Sequence, residues 1–193
     1  MKNGKTVPTS IAPLVWSSGR SKIAFLLLFL FSTAASARAA AFSDRLHLAS
    51  LLQQMPPMVF EDGNGTQHAL SDYRGRFVVL NVWATWCPPC VREMPSLEKL
   101  QKNFDPRRLI VLPLSEDRSD GVVGVFYRNH GLTHLPIALD TAGRAPSALH
   151  FHGLPTTLII DPQGQEIARI DGEIDWDSPE VLGFLRKRTG ATD

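Results

Sequence analysis

Buried runs and polar breaks alternate along this chain in an order that predicts an α/β fold. Phe77-Val78-Val79-Leu80-Asn81-Val82-Trp83 is almost continuously apolar, the pattern of a strand covered on both faces. Leu109 to Leu114 and Thr156 to Ile160 repeat it. Residues 88–103 put Leu97 and Leu100 on one face of a helix, with Pro95 inside it as an expected kink. Ser115 to Asp120 leads into a helix that runs through about His130. Ile137 to Leu139 reads as a short strand and Ala145 to Phe151 as a short helix. Asp161-Pro162-Gln163-Gly164 is a turn into a strand from Gln165 to Ile170. Ser178 and Pro179 suit the N-cap and first position of a last helix through Arg188. Upstream, Met58 to Phe60, Glu61 to Gly65 and Thr66 to Leu70 read as strand, turn and strand. Phe42 to Gln54, with Leu46, Leu48, Leu51 and Leu52, predicts a short amphipathic helix or a spacer, ended by Met55-Pro56-Pro57. Together the elements predict a mixed central sheet flanked by helices.

Charge changes the picture at the N-terminus. Residues 1–38 carry five basic residues and no acid, which leaves the rest with 15 basic against 19 acidic residues, a formal −4. A mildly acidic body without basic blocks argues against nucleic acid as a partner. The basic start is followed by the apolar run Ile23 to Phe31 and then by small residues through Ala41. That is the three-part pattern of a secretory signal, with Ala35-Ser36-Ala37 and Ala37-Arg38-Ala39 as cleavage sites. An uncleaved membrane anchor of the same orientation is the other reading. The expected organisation is therefore 1–41 signal peptide or anchor, 42–56 spacer and 57–190 one folded domain. Either way the domain is exported, periplasmic and soluble or tethered to the inner membrane.

The chain has two cysteines, in Trp86-Cys87-Pro88-Pro89-Cys90. A disulfide between residues three apart closes a tiny loop and adds little stability, so a structural role explains the pair poorly. At a helix start the spacing brings the Cα atoms to roughly 5–6 Å, which suits reversible disulfide formation. Unpaired N–H groups and the positive end of the helix dipole there favour a Cys87 thiolate. Cys87 is then the exposed nucleophile, and Cys90, one turn inward, resolves the mixed disulfide. Haem attachment would need His after Cys90, where Val91 stands. A copper or zinc module remains open, with His152 as a further ligand.

Trp83-Ala84-Thr85-Trp86-Cys87-Pro88-Pro89-Cys90-Val91-Arg92-Glu93-Met94-Pro95 resembles the thioredoxin superfamily, most closely its TlpA/ResA branch. Gly153-Leu154-Pro155-Thr156-Thr157-Leu158-Ile159-Ile160-Asp161 resembles the cis-proline loop and following strand of that family. The resemblance implies a thioredoxin-like fold with an added N-terminal β-hairpin and an inserted helix near 119–130. It implies a thiol–disulfide oxidoreductase with Cys87, Cys90 and Glu93 as catalytic residues. Trp86, Pro88, Pro89, Leu154, Pro155 and Thr156 would contact the substrate chain, with Pro155 cis and facing the cysteines. Glu93 is either an acid beside the thiols or a solvent-facing helix residue. Asn81 stands where ordinary thioredoxins carry a buried Asp. Trp83 is expected in the core, and His150 and His152 on the surface or beside Cys87. Glu116 and Asp117 follow a strand end and could line the same edge as the thiols, with a solvated loop as the default expectation.

The resemblance further implies disulfide-bearing client proteins, including apocytochrome c and copper-site proteins of oxidase assembly. A membrane thiol transporter would supply electrons. The expected form is a monomer, with no cofactor beyond the redox-active disulfide itself. A disulfide oxidase or isomerase is a further alternative, because the fold does not fix direction.

Overall fold

The computed structural model describes residues 42–191. The expected signal or anchor, residues 1–41, lies outside the described residues. Among the described residues no helix is long and apolar enough to cross a membrane.

Among the described residues eight strands form one mixed sheet: β1 (Leu46–Gln54), β2 (Val59–Asp62), β3 (Gln67–Ala69), β4 (Phe77–Trp83), β5 (Leu109–Ser115), β6 (Ala138–Leu139), β7 (Thr156–Ile160) and β8 (Gln165–Asp171). Their order across the sheet is β1-β8-β7-β4-β5-β6-β2-β3. Helices α1 (Pro88–Lys102), α2 (Asp120–His130), α3 (Ala145–Leu149) and α4 (Pro179–Thr189) cover it. The apolar run of β4 is central because it pairs parallel with β5 and antiparallel with β7, so both its edges and both its faces are covered.

Alternation along the strands divides the core. Val79 and Trp83 of β4 point with Leu109 and Val111 of β5 toward Met94, Leu97 and Leu100 of α1, and toward Val181 and Leu185 of α4. Val78, Leu80 and Val82 point the other way, with Ile110, Leu112 and Leu114, toward Phe60, Ala145 and Leu149. Asn81 falls on the α1 face of β4, a polar residue where the pattern otherwise puts an apolar one. That single position builds much of the site below.

The expected fold is present, including the β2–β3 hairpin and the α2 insertion. The last helix starts as expected, with Ser178 at the N-cap and Pro179 behind it, although the serine side chain makes no capping bond. Pro95 sits inside α1 without ending it. One expectation fails. The segment expected as a helix or spacer forms β1, antiparallel to β8 with Leu46 opposite Ile170. Leucines at 46, 48, 51 and 52 match neither helical nor strand period cleanly. The hydrogen bonds of β8, remote in sequence, decide the outcome. Leu48, Leu51 and Leu52 remain exposed along this edge strand.

Candidate active site

The cysteines lie where β4 hands the chain to α1. Cys87 is the N-cap residue of α1 in an extended conformation, and Pro88 takes the first helical position, where a missing N–H costs nothing. Cys87 and Cys90 are joined by a disulfide with Cα atoms 5.3 Å apart. Cys90 is fully buried, and Cys87 is 5% exposed. Cys87 is thus less open than the sequence suggested, because flanking residues stand around its sulfur. It reaches solvent at the floor of a cleft of about 530 Å³, walled by Trp86, Pro88, Pro89, Glu116, Phe151 and Leu154 among others.

The Leu154–Pro155 peptide bond is cis. Leu154 shares the cleft with Cys87, while Pro155 is buried and lines an adjoining groove with His150, His152 and Asp171. Thr156 is buried too. Its hydroxyl donates to the Gly153 carbonyl at 2.8 Å and to Asp171 at 3.3 Å, so it stiffens the loop from within. Trp86 is 67% exposed beside the disulfide.

Residues 51–168 match the family described as AhpC/TSA. The chain belongs to the AhpC/TSA family. ResA of Bacillus subtilis (strain 168), a thiol–disulfide oxidoreductase, is 34% identical over 117 residues, 61% of this chain and 65% of that protein. ResA of Bacillus thuringiensis (strain Al Hakam), with the same activity, is 31% identical over 137 residues, 71% of this chain and 78% of that protein. A thiol:disulfide interchange protein from Bacteroides sp. shares the fold with a TM-score of 0.62 at 19% identity, over 76% of this chain and 93% of that one. This AhpC/TSA member is a thiol–disulfide oxidoreductase with a thioredoxin-like fold, as its sequence predicted.

Behind the disulfide lies a buried polar cluster. Glu93, one turn after Cys90 on α1, is 2% exposed, which removes the solvent-facing reading. Asn81 donates from Nδ2 to Glu93 Oε1 at 2.7 Å and to Thr157 Oγ1 at 2.9 Å. Trp176 donates from Nε1 to Glu93 Oε2 at 3.2 Å. The β4–β7 register sets Asn81 opposite Thr157, so two strands and a helix converge on one carboxyl. Burial pushes the Glu93 carboxyl up to about 8, against the pull of its Asn81 and Trp176 hydrogen bonds. Trp83 is core, as expected.

Glu116 and Asp117 were expected in a solvated loop, and the structure corrects both. Asp117 is buried at the end of β5. It accepts from Thr85 N and Oγ1 and from Ser115 Oγ, all at 2.8 Å. Those bonds tie the Ala84–Trp86 approach to β5 and so hold Cys87 in place. Glu116 is half-buried on the wall of the Cys87 cleft. The strand-end position allowed this edge of the site for both, but a strand-end Ser-Glu-Asp looks like any surface turn, which made the solvated loop the default. Trp176 was missed for a similar reason: nothing local marks a loop tryptophan 83 residues away as a partner of Glu93. Among the described residues no cluster of three or more His, Cys, Asp or Glu is arranged to hold a metal ion. His152 lies on the wall of the cleft that holds Cys87.

Proposed function

We propose that this protein is an exported reductant that passes two electrons to selected disulfides of client proteins. Cys87, as thiolate, attacks a client disulfide and forms a mixed disulfide, releasing one client thiolate. Cys90 then attacks Cys87, releasing the second client thiol and closing the Cys87–Cys90 bond. The client chain lies in the cleft, pairs with the Leu154 backbone beside the cis bond and packs on Trp86, Pro88 and Pro89. A membrane thiol donor restores the dithiol. The basic, apolar and small-residue segments before Phe42 support export, and the protein works as a monomer. Clients of the cytochrome c or oxidase-maturation type fit the TlpA/ResA resemblance.

The observation that carries this reading is the carboxyl held behind Cys90. An acid at about 8 is close to the ordinary thiol value of about 8.5, so a proton moves between Cys90 and Glu93 at little cost in either direction. When ionised, it also disfavours a neighbouring thiolate, which makes the disulfide the preferred state and the dithiol a better reductant. The test is equilibration of the pair with glutathione buffers, followed by thiol trapping. A potential near about −270 mV is expected, in the range of reducing thioredoxins. A value above about −170 mV, toward the strongly oxidising end near −120 mV, overturns the proposed direction and favours an oxidase or isomerase.

A further inference from the structure

Glu93 serves the inner cysteine, which leaves the client's own departing sulfur without a proton source. Above the disulfide, Glu116 follows β5 directly, its N–H bonded to the Trp83 carbonyl at 2.9 Å. It shares the cleft wall with Cys87, Trp86 and Leu154. Behind it stands Asp140, which follows β6 and is 1% exposed. Asp140 Oδ2 accepts the Ala145 N–H at 2.6 Å. Its other oxygen, Oδ1, is buried without a partner, and so is Glu116 Oε1. Two ionised carboxylates cannot satisfy each other, because both only accept hydrogen bonds. One proton held between them satisfies both, and its place is on Glu116, the member that reaches the cleft.

We propose that Glu116, held in its protonated form by Asp140, is the general acid that protonates the client thiolate released when Cys87 attacks. This step rests on the disulfide-exchange reading above and adds a residue to it. The Cys87 thiolate displaces one client sulfur, the Cys87–client S–S bond forms and the client S–S bond breaks. The electron pair of the broken bond leaves with the client sulfur. That sulfur takes the proton from the Glu116 carboxyl, and the resulting carboxylate regains a proton from water. Burial and the facing Asp140 push the Glu116 carboxyl up to about 7, so it holds a proton below that pH and loses it above. The titratable groups around it are Asp140 behind, Asp117 next along the chain, and Cys87 and His152 across the cleft.

The test exploits the leaving group. An aryl disulfide expels a low-pKa thiolate that needs no proton, whereas an alkyl disulfide expels a basic one that does. Reduced protein is mixed with 5,5′-dithiobis(2-nitrobenzoate) or with hydroxyethyl disulfide, and the ratio of alkyl to aryl rate is followed from pH 5.5 to 9. The Cys87 ionisation cancels in that ratio. In the unaltered protein the ratio falls as pH rises through about 7. In Glu116→Gln, which keeps the shape and donates to Asp140, the ratio is at least about tenfold lower at pH 6 and flat with pH. Tenfold lies below the usual range for general acids because thiolates leave tolerably well unaided. Asp140→Asn, which removes the charge that holds the proton, moves the midpoint to lower pH. An unchanged ratio in Glu116→Gln, or an unmoved midpoint in Asp140→Asn, overturns the proposal. Loss of the aryl reaction in the unaltered protein would instead overturn the exchange reading itself.

Discussion

Helix α1 carries two buried glutamates, and they behave in opposite ways. Glu93 and Glu98 are 2% and 4% exposed, five residues apart on one element. Glu93 is pushed up to about 8 and Glu98 down to about 2. Desolvation raises both; the neighbours make the difference. Glu93 meets three neutral donors, the Asn81 and Trp176 side chains and the Ile174 backbone, deep between sheet and helix. Glu98 sits nearer the far end of the helix. There it accepts from the backbone N–H of Thr133 and of His134, from Thr133 Oγ1 and from His134 Nδ1 at 2.7 Å, with Lys102 Nζ at 3.4 Å. More donors, with the Lys102 cation among them, outweigh desolvation at Glu98, where three neutral ones do not at Glu93. One carboxyl is kept ready to exchange a proton behind the disulfide. The other is a permanent anion that pins the loop after α2 to α1.

The largest expected effect comes from removing the costly ionisation. Glu93 has a raised folded pKa, so the folded state holds more protons than the unfolded one between about pH 4.5 and 8. Stability therefore declines as pH rises through that window and levels off above it. Glu93→Gln abolishes the decline. At pH 8 the variant, with its disulfide intact, is expected to be more stable than the parent by up to about 4 kcal/mol, at 1.36 kcal/mol per unit. At pH 5 the two are nearly equal. Denaturant unfolding at the two pH values measures this, and an equal difference at both would mean that Glu93 takes up no proton on folding. The same variant is expected to slow disulfide exchange, so the gain in stability comes with a loss of function.

Glu98→Ala is expected to act in the other direction and somewhat less strongly. The anion's contribution is complete above about pH 4.5 and is lost as pH falls toward about 2. Truncation leaves the Thr133 and His134 donors without their acceptor, and costs about 2–3 kcal/mol at neutral pH. Exchange kinetics with the aryl disulfide should persist once the protein is folded, since nothing ties Glu98 to the cysteines. A Glu98→Ala protein of parental stability at pH 7 would remove the loop-pinning role.

Half of this comparison is legible in the sequence. Residues 77–83, the Cys87–Cys90 pair and the helix after it follow from apolar runs and local spacing, and Glu93 lies on the helix face that bears Cys90. The Leu154–Pro155 loop was legible only through its resemblance to a family, because no local rule marks a cis proline. What stayed hidden is non-local. Trp176 meets Glu93 because the loop before α4 folds back over α1, and His134 meets Glu98 because the turn after α2 does the same. Asp140 stands behind Glu116 because β6 lies beside β5. β1 escaped for this reason as well: its ladder partner, β8, is more than a hundred residues away. Burial that depends on such partners leaves no period in the chain.

The smallest expected effect tests whether the Glu93 environment extends to the surface. The Glu173 carboxylate, bonded to Arg92 one position before Glu93 on α1, adds its negative charge to the burial that holds Glu93 protonated. The pair is partly exposed, with the Arg92 side chain 60% open, so salt and water screen it. Glu173→Gln removes that repulsion and should lower the Glu93 midpoint slightly, within about 1 kcal/mol of linkage. The stability decline then begins at the same pH but ends earlier. The shift should shrink in high salt, because what remains of the interaction crosses solvent. A shift that survives 1 M salt would place Glu173 inside the buried cluster. No shift at low salt would leave burial, opposed only by neutral donors, as the whole cause of the contrast with Glu98.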